Sequence, residues 1–152
     1  MIIITNVSEE DLQKVYEIEL ESFDEPYSFP LLKAYYYLAK ELFIVAKEEN
    51  EILGYALGIV QYGYRGHVVS IAVRKGYREK GIGSLLLKNL ENRFKTLNCT
   101  HSYLEVNYKN VPAIKFYSKQ GYVVTKLQKN YYGRGKHAFI MVKSFLNGKD
   151  FE

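Results

Sequence analysis

A β-branched apolar run, a turn rich in glycine and basic residues, and a helical pattern follow one another in the middle of this chain. The run is H-V-V-S-I-A-V at residues 67–73, and the turn is R-K-G-Y-R-E-K-G-I-G-S at residues 74–84. One helix face is then indicated by the spacing of Leu85, Leu86, Leu90, Phe94 and Leu97. A strand–turn–helix unit of this kind presents unpaired backbone N–H groups and the positive end of a helix dipole to a phosphate.

Three residues of the turn, Arg78, Gly81 and Gly83, are spaced as R-x-x-G-x-G. The glycines would let the backbone approach a pyrophosphate without a Cβ in the way, and Arg78 and Lys80 would add positive charge. The turn is neither a dinucleotide fingerprint, because G-x-G-x-x-G is absent, nor a Walker loop, because no G-K-[ST] follows. On these residues alone, a tight connection whose glycines only relieve the backbone explains the turn as well as a phosphate site does.

Further motifs favour the phosphate interpretation. They are Y-L-E-V at 103–106, N-V-P-A-I-K-F-Y at 110–117, G-Y at 121–122, N-Y-Y at 130–132 and A-F-I-M at 138–141. With R-x-x-G-x-G after a strand, this order resembles the GNAT superfamily of N-acetyltransferases, and within it the protein N-terminal acetyltransferases of the ribosomal-protein-alanine and archaeal Ard1 types. The resemblance implies transfer of an acetyl group from acetyl-CoA to the α-amine of a protein or peptide N-terminus.

Length and composition indicate one globular domain. The chain has 152 residues, of which 47% are hydrophobic and 25% charged, so we expect a single domain over residues 1–152. No apolar run is long enough to cross a bilayer, the first residues lack a signal-peptide pattern, and Cys99 is the only cysteine. We therefore expect a cytoplasmic protein with no disulfide and no membrane partner. The absence of a cysteine cluster or an H-x-x-x-H spacing leads us to expect no metal.

The net charge of +4 raises the question of nucleic-acid binding. Basic residues concentrate beside the glycine turn, at Arg74, Lys75, Arg78 and Lys80, and no basic tail or nucleic-acid module is present. Such a patch suits the phosphates of CoA equally well, so nucleic acid is not expected as a partner. Ribosomal or nascent chains remain candidate acceptors.

The pattern along the chain predicts the order β-α-α-β-β-β-α-β-α-β-β. Strands are predicted at 2–5, 42–46, 52–61, 67–73, 102–106, 122–127 and 137–143, with a long loop between the last two. Helices are predicted after a Ser8–Asp11 capping box, over 31–40, after the glycine turn, and from an Asn110 N-cap to Gly121. The predicted fold class is α/β (α+β): a mixed sheet with an antiparallel N-terminal meander, a splayed parallel pair and helices on both faces.

Three residues are candidates for the chemistry. Glu105 lies between apolar neighbours at the end of a predicted parallel strand, where a carboxylate is costly unless it is solvated or used. The resemblance implies that Glu105 draws a proton from the amine, usually through water, that His67 shares this task, and that Tyr117 gives a proton or hydrogen bond to the departing sulfur. The alternatives are a salt-bridged rim residue, a solvated strand-edge histidine and an ordinary core tyrosine.

The resemblance also implies the binding residues. Cofactor contacts are expected from the end of the strand, the turn and the later helix: Ile71, Ala72, Val73, Arg78, Glu79, Lys80, Gly81, Ile82, Gly83, Ser84, Asn110 and Tyr117. Helix capping alone would explain Asn110. Acceptor contacts are expected from Glu25 and Tyr27 in one loop and from Tyr131 and Tyr132 in the last long loop, where a tyrosine-rich surface turn is the alternative. The chain departs from the family pattern at His137, where an acidic residue is common, and at 107–109, where N-Y-K replaces R-x-S.

Two other functions remain open. An acetyltransferase for a small-molecule amine or a lysine side chain would use the same cofactor turn, but small-molecule relatives lack the paired-tyrosine segment. A non-catalytic acetyl-CoA-binding regulatory module would not need Glu105 and Tyr117.

Overall fold

The structure is a computed structural model that describes residues 1–146. Over these residues the strands are β1 (Ile3–Asn6), β2 (Phe43–Glu48), β3 (Glu51–Gln61), β4 (Arg65–Val73), β5 (His101–Asn107), β6 (Val123–Gly133) and β7 (Lys136–Ser144). The helices are α1 (Leu12–Ser22), α2 (Phe29–Ala39), α3 (Ile82–Thr96) and α4 (Val111–Lys119). Short 3-10 turns precede α1 and follow α2.

The strands form one mixed sheet in the order β1-β2-β3-β4-β5-β7-β6. β1, β2 and β3 pair antiparallel, β5 and β6 each pair antiparallel with β7, and β4 pairs in parallel with β5. The parallel register places His67 opposite Tyr103. The predicted α/β class, with an antiparallel meander and a parallel pair, is confirmed.

The chain divides into two compact units. Unit 1 comprises Met1–Ile59 and Val68–Thr96, and unit 2 comprises Val60–His67 and the chain from Leu97. Strand β4 therefore contributes its first residues to unit 2 and the rest to unit 1. A single domain over residues 1–152 stays a prediction.

In unit 1, α3 lies directly against β3. A Cβ built on Gly58 would come within 2.6 Å of the Phe94 ring, so only glycine allows this approach. The core around this contact consists of fully buried apolar side chains, among them Val15, Leu32, Phe43, Ile44, Leu57, Leu86 and Leu90. Their burial supplies the main stabilisation of the unit and holds the N-terminus of α3 at the end of the glycine turn.

In unit 2, strand β5 alternates between a buried and a half-buried face. Ser102, Leu104 and Val106 are buried, whereas Tyr103 and Glu105 lie on the other face. The Tyr122 hydroxyl donates to Ser102 Oγ at 2.8 Å, inside the core. The alternation thus places Tyr103 and Glu105 together on the less buried face of the strand.

Helix α2 begins two residues before its predicted start. The Ser28 hydroxyl accepts a hydrogen bond from the Leu31 N–H at 3.3 Å, and Pro30 occupies the first turn, so the helix starts at Phe29. Proline lacks an N–H but is tolerated there because the first N–H groups of a helix have no partner within it.

The predicted long loop between the last two strands is wrong. β6 continues to Gly133, and Arg134 and Gly135 alone separate it from β7. Pairing shifts between Gln128 and Gly133, where five residue steps on β6 face two on β7 (Gln128 opposite Ala138, Gly133 opposite Lys136). Extra residues are therefore accommodated as a bulge within β6 rather than as a loop.

Candidate active site

His67 and Glu105 form a hydrogen-bonded pair in unit 2. His67 Nε2 lies 2.7 Å from Glu105 Oε1, and the two side chains are only 13% and 9% exposed. Since His67 is opposite Tyr103 across the parallel ladder, the carboxylate two residues further along β5 comes within reach of the imidazole. The structure thus brings together the two residues predicted to act on the amine.

Glu105 is held in its ionised form. Burial opposes the charge and by itself would raise the pKa of the carboxyl, but hydrogen bonds from His67 and Tyr103 outweigh it. The pKa of Glu105 therefore lies below its ordinary value. Burial and the neighbouring Glu105 raise the pKa of Tyr103 to about 12, so its hydroxyl keeps its proton.

Tyr117 is the buried tyrosine of α4. Its ring packs edge-on against Tyr122, with centroids 5.7 Å apart. Burial, and then the nearby Tyr132, raise the pKa of Tyr117 well above that of a free phenol, so the hydroxyl stays protonated at neutral pH. Because Tyr132 affects the pKa of Tyr117, the two side chains lie near each other. Tyr132 is predicted to contact the acceptor, and Tyr117 is predicted to act on the leaving group.

The glycine turn is open around Gly81. Gly81 has φ +85°, and no atom lies within 4 Å of the position that a Cβ would occupy. α3 begins at the next residue, Ile82, and its first N–H groups have no partner within the helix. Arg78 is held in place by its Nε donating to the Val73 carbonyl at 2.8 Å and by a second N–H donating to Ser22 Oγ at 3.1 Å. The turn therefore fits the phosphates of a CoA.

Other residues predicted to contact the cofactor also make contacts within the protein. The Val73 carbonyl accepts from Arg78, and Ala72 is buried against β3, where a Cβ on Gly54 would lie 2.8 Å from its carbonyl oxygen. Asn110 caps α4, its side chain accepting from the Ala113 N–H at 3.2 Å. Cofactor contact by these residues stays a prediction.

Comparison with known proteins decides the family. Residues 12–122 match the acetyltransferase (GNAT) family. The chain belongs to this family. It is an acetyl-CoA-dependent N-acetyltransferase, as the motifs predict.

Relatives of this acetyltransferase are similar over nearly their whole length. An uncharacterised N-acetyltransferase of Methanocaldococcus jannaschii is 41% identical over 148 residues, which cover 97% of this chain and 94% of that protein. An N-alpha-acetyltransferase of Sulfolobus acidocaldarius is 32% identical over 143 residues, which cover 86% of this chain and 85% of that protein.

Solved structures of other acetyltransferases match this fold over nearly the whole chain. Ard1 from Thermoplasma volcanium matches with a TM-score of 0.91 at 28% identity, covering 96% of this chain and 99% of that one. Arabidopsis thaliana Naa50, in complex with the bisubstrate analogue CoA-Ac-MVNAL, matches with a TM-score of 0.83 at 25% identity, covering 95% and 99%. The predicted resemblance to Ard1-type N-terminal acetyltransferases is confirmed.

In this acetyltransferase, Tyr131 and Tyr132 lie on the bulge of β6 and not in a long loop. Asn130, with φ +56°, donates its N–H to His137 Nδ1 at 2.9 Å, and its side-chain oxygen accepts from the Gly135 N–H at 2.8 Å. These bonds close the bulge. The two tyrosine rings meet edge-to-face with centroids 4.8 Å apart, and Tyr131 is 45% exposed, so the pair presents a partly exposed aromatic surface.

Charged residues are unevenly distributed. Among the described residues of unit 2, Glu105 is the one carboxylate side chain. The basic residues there are Arg65, Lys109, Lys115, Lys119, Lys126, Lys129, Arg134, Lys136 and Lys143. Because Glu105 is paired with His67, the exposed surface of this unit is strongly positive.

In the other acceptor segment, Tyr27 is anchored by a residue that was not predicted. The buried carboxylate of Glu19, 1% exposed, accepts the Tyr27 N–H on Oε2 at 3.0 Å. Its Oε1 accepts from the hydroxyls of Tyr55 and Ser70. Burial and Glu19 raise the pKa of Tyr55 well above its ordinary value, so its hydroxyl remains a donor. Glu25 lies exposed in the same segment.

Glu19 left a signal in the sequence. It follows Val15 by four residues and therefore falls on the apolar stripe of α1, where a carboxylate needs a buried partner. Its oxygens join α1 and the sheet to the segment that carries Tyr27. Glu19 is therefore a candidate positioning residue for that segment.

We expect Glu19→Gln to lower the free energy of unfolding by about 1–3 kcal/mol, because the amide NH₂ would face either the Tyr27 N–H or the two hydroxyls and leave a buried donor unpaired. Urea unfolding measures this loss. Glu17→Gln is the matched control: on the same helix, Glu17 is exposed and makes one surface ion pair with Lys14 at 3.5 Å, so its change should stay within about 0.5 kcal/mol. Equal stability of the two variants would contradict the anchoring role.

Residues 1–146 contain neither a cluster of metal ligands nor a membrane-spanning helix. No three His, Cys, Asp or Glu side chains within this range are grouped closely enough to hold a metal ion. No helix within it is long and apolar enough to cross a membrane.

Proposed function

We propose that this acetyltransferase moves an acetyl group from acetyl-CoA to the α-amine of a protein or peptide N-terminus by direct attack. The observation that carries the choice of amine is the nearly buried carboxylate of Glu105, hydrogen-bonded to His67 at 2.7 Å, with its pKa below the ordinary value. A carboxylate of low pKa is a weak base, and an α-amine, with a pKa of about 7.7–8.0, needs little help to be neutral. A lysine amine, near pKa 10.4, needs much more.

Residues of unit 2 and of the glycine turn in unit 1 take separate roles in this proposal. Acetyl-CoA supplies the acetyl group as a thioester when bound. Glu105 accepts the amine proton, directly or through water. The Tyr117 hydroxyl keeps its proton because its pKa is raised. It gives a proton or a hydrogen bond to the departing sulfur. Arg78 and the backbone of residues 79–84 hold the phosphates.

The acceptor is proposed to lie against Tyr131 and Tyr132. An N-alpha-acetyltransferase among the relatives and the peptide-bearing analogue bound to Naa50 support a peptide acceptor. We also propose that the enzyme acts in the cytoplasm as a single domain and that ribosomal or nascent chains are among its acceptors. The resemblance to ribosomal-protein-alanine enzymes and the one buried, free cysteine support this.

Acetyl-CoA turnover against a library of peptides tests the proposed function. The library varies the first two residues and includes an N-terminally blocked peptide with an internal lysine, and spermidine as a small amine. Turnover of free peptide N-termini, with little from the other two, is the expected result. Turnover of spermidine without turnover of peptides would establish a small-molecule acceptor instead.

Tyr132→Ala should lower kcat/KM for a peptide and leave acetyl-CoA affinity unchanged, because the side chain is proposed to contact the acceptor and not the cofactor. One buried aromatic contact with a hydrogen bond is worth about 1–3 kcal/mol of transition-state stabilisation. Tyr132→Phe should cost less if the ring matters more than the hydroxyl. A purely structural tyrosine predicts a different result, in which thermal stability and all activities fall together.

Acidic acceptors should be preferred. Lys129, Arg134 and Lys136 are exposed on the hairpin that carries Tyr131 and Tyr132, and a positive field raises the encounter rate of a negative peptide. We expect kcat/KM to be higher for a peptide with Glu at position two than for one with Lys there, with the difference shrinking as salt is added. A salt-independent ratio, or a preference for Lys, would contradict this.

A further inference from the structure

A chain of hydrogen bonds ends at His67 on the side away from Glu105. The Nε and Nη2 atoms of Arg65 lie 2.9 and 2.6 Å from Gln61 Oε1. Gln61 Nε2 in turn lies 3.4 Å from His67 Nδ1. The Arg65 guanidinium is itself fixed over the Tyr103 ring, with its carbon 4.0 Å from the ring centroid. Gln61 and Arg65 played no part in the sequence-based prediction of the site.

The donors in this series of hydrogen bonds determine which nitrogen of the imidazole carries the proton. A guanidinium has donors only, so the Gln61 atom that faces Arg65 must be the carbonyl oxygen. The amide nitrogen then faces His67, and it too can only donate. His67 Nδ1 must therefore present a lone pair, and the ring proton is on Nε2, where it is donated to Glu105.

We propose that Arg65 and Gln61 are positioning residues that hold His67 as the Nε2–H tautomer, so that Glu105 alone accepts the amine proton. The inference rests on the proposed function for its chemical meaning, although the tautomer itself does not. His67 then orients the carboxylate and does not act as a second base, because its one lone pair is occupied by Gln61.

The other groups around the ring agree with a lone pair on Nδ1. The charged and titratable groups that face it are Glu105 and Tyr103 from β5 and Arg65 from β4, with the Tyr103 ring centroid 4.7 Å from that of His67. A second proton on Nδ1 would point at the Gln61 N–H and share the pocket with the Arg65 charge. Glu105 is the one group of this set that favours such a proton.

Ring ¹⁵N NMR of the full chain, read between pH 7 and 8, tests the tautomer. His67→Gln assigns the His67 signals among the three histidines. We expect a protonated-type shift for Nε2 and a lone-pair-type shift for Nδ1. In Gln61→Glu, a carboxylate would accept from Nδ1, so both nitrogens should take protonated-type shifts. Gln13→Glu, an exposed change on α1, adds the same charge elsewhere and should leave the His67 shifts unchanged.

A second variant keeps the test decisive if Gln61→Glu does not fold. Arg65→Leu removes the donors that fix the Gln61 amide, so the amide can turn and the two ring shifts should move toward each other as the tautomers mix. In Gln61→Glu, kcat should also fall at neutral pH with acetyl-CoA KM unchanged, because an imidazolium beside Glu105 makes it a weaker base.

Two results would overturn the proposal: an Nδ1–H tautomer in the unaltered protein, or His67 shifts that ignore both Gln61→Glu and Arg65→Leu. Loss of peptide acetylation with the Nε2–H tautomer intact would instead count against the proposed function alone. The spectrum and the acceptor library thus separate the two failures.

Discussion

Glu105→Gln should lower kcat at pH 7 by roughly 10²–10⁴-fold, the usual contribution of a positioned general base. The amide oxygen can still accept from His67 Nε2, so the pair at 2.7 Å can persist while the group that takes the proton is lost. Steady-state turnover of acetyl-CoA with a free-N-terminus peptide measures the loss, and calorimetry should show acetyl-CoA affinity nearly unchanged. Full activity in this variant would remove Glu105 from the mechanism.

The pH dependence gives a second measurement of the same residue. Because the pKa of Glu105 is depressed, the carboxylate is ionised throughout the neutral range and is lost as a base only when the pH falls through that low value. The rise of kcat/KM with pH should therefore follow the neutralisation of the α-amine, near pKa 7.7–8.0. Glu10→Gln, an exposed change, is the matched control and should reproduce the original profile.

Gly81→Glu should abolish detectable acetyl-CoA binding. The new carboxylate would enter the open space beside the N-terminus of α3 and repel the pyrophosphate at the place where the helix dipole should attract it. A φ of +85° also strains any side chain there, by an amount on the order of 1–3 kcal/mol. Calorimetry with acetyl-CoA measures the binding, and a thermal melt measures the strain.

Gly63→Glu separates the loss of cofactor binding from the backbone strain. Gly63 has φ +78° and no atom within 4 Å of its Cβ position, so the same residue suffers similar strain away from the turn. We expect both variants to melt somewhat earlier and only Gly81→Glu to lose the cofactor. Unchanged acetyl-CoA affinity in Gly81→Glu would sink the phosphate interpretation of the turn.

Local patterns were enough to predict most of the fold and the position of the glycine turn. The β-branched apolar run before the turn and the glycines within the turn located β4, α3 and the candidate phosphate site, because strand and helix patterns are properties of neighbouring residues. Glu105 and His67 were predicted by resemblance, and their 2.7 Å contact follows from the parallel register. The paired tyrosines were misplaced in a loop, since the Asn130–His137 bond that closes the bulge joins residues whose partnership spacing does not reveal.

Long-range polar contacts account for what remained unpredicted. Gln61 and Arg65 look like ordinary residues around a turn until the fold places His67 beside them. Glu19 stood on an apolar stripe, but its partners Tyr55 and Ser70 are 36 and 51 residues away. Buried hydrogen-bond networks of this kind depend on tertiary packing, which a single sequence does not display.

The positive surface around the paired tyrosines would act on only the first residues of an acceptor bound there. At physiological ionic strength, exposed charges act over about 8 Å, whereas an extended peptide advances roughly 3.3–3.6 Å per residue. A substrate chain held at its amine would therefore interact with this field over about its first two or three residues. The charge of the rest of its sequence would have little effect. Proteins that differ widely in overall charge would be equal acceptors provided that their opening residues match.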